Sequence, residues 1–411
     1  MLKHFLLYFS VFIFSINIFA QTQDLDYYIS MGLKNSPIWN DFRNQIELNA
    51  VDSLRSIAAY KPHVDFTVQG MYAPSYSKWG YDNAITNGGN YSSLLSVAQP
   101  LFNKKLKSGQ FRDLSLSSQS VRVKEKISEL DVKKAITAQY ITAYIDFSQL
   151  QFNEKVLQML KDEQTILGQL VDKGIYLQTD YMNLQVSIKA QEILRKQTFI
   201  QYKNDLVALR ILSGIADTST IALEKPVVKL ENNFDISASP YVLQFKIDSL
   251  KFINNKYLSS LNYKPRFSLL ADAGFQSVDP RNIPYNFGAS VGFKFVLPIY
   301  DGKLRNLEYK KNDILENTRT KYRDFYSTQY QQQLGQLQEQ LRLTEDLSKD
   351  IKEQITSHEK LIELYKLEIN KGLVRFIDFL TIINNYITTQ NSLTQAELNQ
   401  LQLVNQLNYL K

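Results

Sequence analysis

Two short segments hold the residues best placed to do chemistry. Lys173-Gly174-Ile175 is followed by Asp180 six residues after the glycine, and Lys371-Gly372-Leu373 is followed by Asp378 at the same spacing. Arg375 stands three residues before Asp378. The chemistry on offer is ionic, not covalent. A glycine closing a long helix takes the left-handed conformation at C′, and the apolar residue after it, here Ile175 or Leu373, often turns back onto the helix. A carboxylate in the first turn of the following helix meets free N–H groups and the positive end of the helix dipole. Helix capping is therefore the first expectation for Asp180 and Asp378.

Covalent and metal chemistry have little to work with. The 411 residues contain no cysteine, which excludes disulfides, thiolate catalysis, cysteine metal sites and lipidation on an N-terminal cysteine. His63 and His358 have no ligand-spaced partners, so no metal site is expected. No nucleophile elbow, phosphate loop or dinucleotide fingerprint occurs. The formal charge of +6 includes no basic block of the kind that binds nucleic acid. No enzyme activity and no cofactor are expected.

The elements that position these residues come in duplicate. Tyr60-Lys61-Pro62 returns as Tyr263-Lys264-Pro265. Gln99-Pro100-Leu101-Phe102, with Lys105-Leu106, returns as Leu297-Pro298-Ile299-Tyr300, with Lys303-Leu304. The Lys-Gly segments form the third pair, and the last two pairs share an offset of 198 residues. Landmarks repeated in one order indicate a duplicated unit. The first repeat is expected over 21–214 and the second over 240–411, with an irregular linker at 215–239 between them.

Each repeat contains a strand pair, at 63–99 and 266–297. Val64, Phe66 and Val68 alternate with His63, Asp65, Thr67 and Gln69. Tyr91, Leu95 and Val97 alternate with Ser92, Ser96 and Ala98. In the second repeat Phe267, Leu269, Ala271, Ala273 and Phe275 oppose Arg266, Ser268, Asp272 and Gln276. Phe287, Ala289, Val291, Phe293 and Phe295 oppose Asn286, Ser290 and Lys294. Strands of about ten residues match a tilted membrane crossing. The aromatics Tyr72, Tyr76, Trp79, Tyr81, Tyr91, Tyr285 and Phe287 gather at the loop ends, as interfacial girdles do. Soluble sandwich strands are the other reading. Four strands cannot close a barrel, so a membrane barrel requires several chains.

The rest reads as long helices. Ile136, Tyr140, Ala143, Phe147, Leu150, Glu154 and Leu157 step by four and three, as do Ile351, Ile355, His358, Ile362, Tyr365 and Ile369. That is a heptad seam. The helix expected over 103–172 matches the summed length of its neighbours at 24–59 and 180–212, so two half-helices stacked end to end could flank it. The turns at 173–180 and 371–378 join long and short helices. Pro62, Pro100, Pro265 and Pro298 fall at the exchanges between helix and strand, where proline ends helical bonding. Lys104, Lys105, Lys107, Arg112, Lys303 and Arg305 flank the base of the strands, either as solvated helix surface or against lipid headgroups. At the N-terminus, Lys3 and His4 precede an apolar run from Phe5 to Phe14, and a small residue, Ala20, stands before Gln21. This is the layout of a cleaved export signal over 1–20.

In this order, repeated, the landmarks resemble those of the TolC family of outer-membrane efflux and type I secretion channels, from Asp24 to Lys411. The clearest carriers are the Tyr-Lys-Pro strand openings, the Leu-Pro-Ile-Tyr-Asp-Gly junction at 297–302 and the two Lys-Gly turns. The resemblance implies a mainly α fold with a membrane β-barrel portion: long coiled-coil helices plus two β-hairpins. Four strands per chain would build a trimeric 12-stranded barrel atop a periplasmic α-barrel. It implies a homotrimer in the bacterial outer membrane, contacting outer-membrane lipid, a periplasmic adaptor (a membrane fusion protein) and an inner-membrane pump. The turns with Gly174, Ile175, Gly372 and Leu373 would be the adaptor-docking tips. Asp180 and Asp378 would form carboxylate rings near the axis, with Arg375, Lys173 and Lys371 as partners in a gate. Family members often carry a further aspartate in the next turn, where this chain has Thr381, Asn384 and Asn385. A soluble periplasmic coiled-coil scaffold or pump adaptor is the alternative.

Overall fold

The computed structural model describes residues 23–74, 76, 79, 80, 82, 88–101, 104–231 and 234–410. The export signal expected at 1–20 and the girdle aromatic Tyr81 lie outside these residues. In chain order the elements are α1 (Leu25–Asn35), α2 (Ile38–Ala58), β1 (His63–Ala73), β2 (Gly88–Leu101), α3 (Lys104–Asp172) and α4 (Gln178–Leu212). Then come α5 (Pro240–Leu261), β3 (Arg266–Ser277), β4 (Phe287–Val296), α6 (Leu304–Ile369) and α7 (Phe376–Asn408). Among the described residues, no helix is long and apolar enough to cross a membrane.

The chain divides into two compact units, and each draws on both sequence repeats. One holds residues up to 36, 129–232 and 334–410; the other holds 37–128 and 233–333. The single helix expected over 24–59 is two. Pro37 lacks an N–H and forces the residue before it out of the α region, and Ser36 accordingly sits at φ −69°, ψ 127°.

The unit of residues 37–128 and 233–333 contains the sheet, antiparallel in the order β1-β2-β3-β4. Its register converts the alternating strands into two-sidedness. Val64 pairs with Val97, Val97 with Ala271, and Ala271 with Val291. The same face continues with Phe66-Leu95-Ala273-Ala289 on one side, and with Gln99-Leu269-Phe293 and then Leu101-Phe267-Phe295 on the other. The opposite face carries the row Asp65-Ser96-Asp272-Ser290. A one-residue slip would mix the faces, so the pattern itself pins the register.

The prolines sit at the joints. Pro62 precedes β1, Pro265 precedes β3 and Pro298 follows β4. Pro100 lies near the end of β2, beyond Ala98, where pairing with β1 stops at His63, so its missing N–H leaves no gap on that side. Gln99 Nε2 donates to the carbonyls of Tyr60 and Pro100 at 3.0 and 2.8 Å, tying both ends of the first hairpin together. In the second hairpin, Asp301 accepts from the backbone N–H groups of Lys303 and Arg305, both at 2.9 Å, and so starts α6.

The other unit is helical. Ile136, Tyr140, Ala143, Leu150 and Leu157 of the first heptad seam are buried, while Glu154 faces out and pairs with Arg195 at 3.2 Å. Short α1 does not meet α4 end on. It lies beside the last turns of α4: Tyr28 joins a core with Tyr202, Leu206 and Leu209, and Asn35 Nδ2 donates to the carbonyls of Ser213 and Gly214 at 3.2 and 3.0 Å. On the side facing α3, a Cβ on Gly32 would collide with the tip of Ile136.

The segment from 215 to 231 has no ladder of its own, and side chains satisfy its carbonyls instead. Tyr140 donates to Glu224 O at 2.9 Å and Asn408 Nδ2 to Lys229 O at 2.8 Å, while Tyr202 donates to Ile221 O. Arg210, 1% exposed, donates to Ser219 O, and its Nη2 faces the Asp217 carboxylate at 3.3 Å. That last contact is an ion pair without the alignment of a hydrogen bond, since Nη2 makes none. A buried guanidinium needs such a partner to offset its lost hydration.

Candidate functional site: the paired helical turns

The turn after α3 and the turn after α6 close by the same device. Ile175 N–H donates to Leu170 O at 2.9 Å and Gly174 N–H to Val171 O at 2.8 Å. Leu373 N–H donates to Glu368 O at 3.1 Å and Gly372 N–H to Ile369 O at 2.9 Å. These are paired Schellman closures, with φ of +73° at Gly174 and +70° at Gly372.

The residues after the glycines do not turn back onto their own helices. Leu373 is 69% exposed, and Ile175 reaches across so that a Cβ on Gly372 would lie 2.8 Å from its Cγ2. The space beneath the turns belongs to aromatics. Tyr176 meets Phe376 edge-on at 6.3 Å, and Phe376 meets Phe379 at 5.6 Å. Both phenylalanines join the buried core of Leu167, Leu184 and Ile369. Tyr176 also ties one turn to the other: its hydroxyl lies 2.8 Å from Val374 O and 3.3 Å from Ile369 O. Burial raises this phenol's pKa, with Asp180 adding to the effect, which keeps the hydroxyl protonated as a donor.

The two carboxylates hold equivalent positions and do different things. Asp180 Oδ2 accepts from the Leu177 N–H at 3.2 Å, half of a capping box, because Leu177 has no oxygen to complete it. At the matching helix start the N-cap is Arg375. Its Nε and Nη2 donate to Asp378 Oδ2 and Oδ1 at 3.0 and 2.9 Å, a bidentate pair. The Asp378 carboxylate raises the guanidinium pKa further. Lys173 and Lys371 are exposed and enter no ion pair among the described residues. The structure thus joins Arg375 to Asp378 and leaves both lysines apart from the acids. Around them Leu177, Met182 and Val186 are exposed apolar residues. Among the described residues no group of His, Cys, Asp or Glu could hold a metal ion.

No protein-family model matches the sequence, and no curated protein does. Solved structures do match. The outer-membrane channel OprN superposes with a TM-score of 0.74 at 11% identity, over 94% of this chain and 89% of that one. The outer membrane protein VceC of Vibrio cholerae gives 0.73 at 12%, over 94% and 95%. The open-state outer membrane channel MtrE of Neisseria gonorrhoeae gives 0.70 at 13%, over 94% and 88%. The chain has the TolC-family channel fold.

Some of this TolC-type arrangement has no simple sequence signal. Tyr176 stands where the second repeat has Val374, so no repeated motif marks it. Its only cue is an aromatic beside a Lys-Gly turn. Phe376 and Phe379 are spaced three apart at the start of α7, which marks them as one buried helix face. The exchange of Leu177 for Arg375 at the N-cap appears only when the turns are aligned by their glycines.

Proposed function

We propose that this chain is the outer-membrane exit duct of a tripartite efflux or type I secretion system, with three copies sharing one barrel. The observation that carries the reading is the sheet. Its apolar face is exposed, Val291 at 86%, and β1 and β4 each leave one edge unpaired. Open edges are not tolerated in hydrocarbon, and small barrels need about eight strands to close. Copies joined β4 to β1 satisfy both demands, and three of them make a twelve-stranded wall with room for a lumen. The polar row Asp65-Ser96-Asp272-Ser290 then lines water. Exposed apolar residues beside both edges fit a head-to-tail contact that closes into a ring: Leu48 and Leu54 on α2, and Ile299, Tyr300, Leu304 and Leu307 leading into α6.

In this reading the helical turns form the periplasmic tip. Ile175, Leu373, Leu177 and Met182 offer an adaptor, a membrane fusion protein, a small apolar surface around Gly174 and Gly372. The inner-membrane pump supplies the energy and the cargo moves passively. Arg375 neutralises Asp378, whereas Asp180 enters no ion pair among the described residues. The cation-favouring ring therefore falls on Asp180, and the Arg375–Asp378 pair is the contact that holds the tip closed. Cleavage of the N-terminal signal at residue 20 delivers the chain to this compartment.

The cysteine-free chain makes the test clean. Ser290→Cys and Val291→Cys, adjacent on β4, are reacted with a membrane-impermeant maleimide in outer-membrane vesicles. The reading expects Ser290→Cys to label from water and Val291→Cys to stay protected. Equal labelling of both rejects the barrel.

A further inference from the structure

Where helix and strand exchange in the second hairpin, the sheet-bearing unit has a cavity of about 720 Å³. That volume lies within the range of pockets that hold small ligands. Its lining includes three lysines: Lys104 and Lys105 from the start of α3, and Lys264 just before β3. None of the three enters an ion pair among the described residues. The lining holds no carboxylate, and Asp301 at the start of α6 accepts from the N–H groups of Lys303 and Arg305.

Much of the remaining lining has the opposite character. Phe267 and Phe295, paired across β3 and β4, lie in it with Leu106 and Leu261. Both phenylalanines belong to the apolar face of the sheet, so the cavity continues that face down to the level of the helix starts. A cavity that adjoins an apolar band and is lined by both apolar side chains and unpaired lysines fits a molecule with an anionic head and a hydrocarbon tail. Lysines at such a level bury their stems and present their ammonium groups to headgroups.

We infer that this cavity is a binding site for one anionic phospholipid per chain. The phosphate is held by Lys104, Lys105 and Lys264, and an acyl chain lies over Phe267 and Phe295. The lipid would come from the periplasmic leaflet, and the inference rests on the barrel reading above. Such a site fixes the depth of the barrel where strand becomes helix, a joint that no transmembrane helix anchors.

Native mass spectrometry of the assembly, extracted in mild detergent and mixed with phosphatidylglycerol or phosphatidylcholine, tests it. The expected result is one retained phosphatidylglycerol per chain and no comparable retention of phosphatidylcholine. Retention should fall at least fivefold in Lys104→Gln/Lys105→Gln/Lys264→Gln and persist in the control Lys310→Gln/Lys311→Gln/Lys321→Gln, which removes equal charge from exposed α6. Arginine at the three cavity positions should restore it, which separates lost binding from failed assembly. Equal retention of both lipids, an equal fall in both triple variants, or displacement by glycerol phosphate alone would overturn the site. So would protection of Lys264 from amine reagents by a second copy in lipid-free assemblies. Conductance in planar bilayers, recorded on the same samples, reports on the duct separately: a conducting assembly without lipid retention sinks only this inference.

Discussion

Arg375 grips Asp378 through contacts of 3.0 and 2.9 Å at the helix start where the first turn has Leu177 and Asp180. One repeat therefore caps its helix with a carboxylate, while the other locks its carboxylate to a cation. The two turns share their geometry, and the difference lies at the N-cap, Leu177 in one and Arg375 in the other.

Replacing that cation should loosen the tip. Arg375→Leu makes the second turn resemble the first, and the open fraction in single-channel recordings is expected to rise several-fold. The pair is exposed, so the thermal midpoint should barely move. High salt should bring the unaltered protein toward the variant, because exposed charges are screened over roughly 3 Å at 1 M. An unchanged open fraction would remove the pair from the gate.

Asp180→Ala should behave differently. It strips the N-cap Leu177 N–H of its acceptor and is expected to destabilise the helical unit by about 1 kcal/mol, the scale of a lost capping hydrogen bond. If Asp180 forms the exposed carboxylate ring, cation selectivity from reversal potentials should fall as well. Stability loss with intact selectivity would leave it a cap alone.

The two glycines should rank in a defined order. Both need a positive φ, so alanine strains each by about 1 kcal/mol. At Gly372 the new Cβ also lies 2.8 Å from Ile175 Cγ2, whereas at Gly174 nothing stands within 4 Å. Gly372→Ala should therefore melt below Gly174→Ala, and adding Ile175→Ala should erase the difference.

Asp146 of α3 gives the helical unit a pH dependence. Burial, and then the adjacent Asp205 carboxylate, push its pKa up to about 8. Asp205 is itself held by Gln139 and Gln201 at 3.1 and 2.7 Å. A carboxyl whose folded pKa is raised binds its proton more tightly when folded, so its contribution is full at acid pH and is lost as pH climbs through about 8. Thermal melts in detergent should show the natural chain weakening from about pH 4 to about pH 8. Asp146→Asn should flatten that slope.

The periodic parts of this structure were legible in the sequence. Alternation set the sheet faces because one slipped residue would turn Phe66 and Phe293 to the polar side. The heptad seam predicted Ile136, Tyr140 and Ile362 as core because their spacing repeats over many turns. The site was legible only in outline. Gly174 and Gly372 announce the turns, and the carboxylates announce helix starts, but Tyr176 joins turns 198 residues apart through carbonyls that carry no side-chain signal. The break at Pro37 was present as a residue and outweighed by the helical pattern around it. Arg210 reads as an ordinary surface cation on α4 until the irregular segment folds over it.

The central claim is that copies of this chain build one water-filled duct. Extraction of the outer-membrane fraction in mild detergent, followed by mass determination and insertion into planar bilayers, tests it most directly. A particle of three chains that conducts is the predicted result. A protein released without detergent as a monomer or dimer, with no conductance, would contradict it.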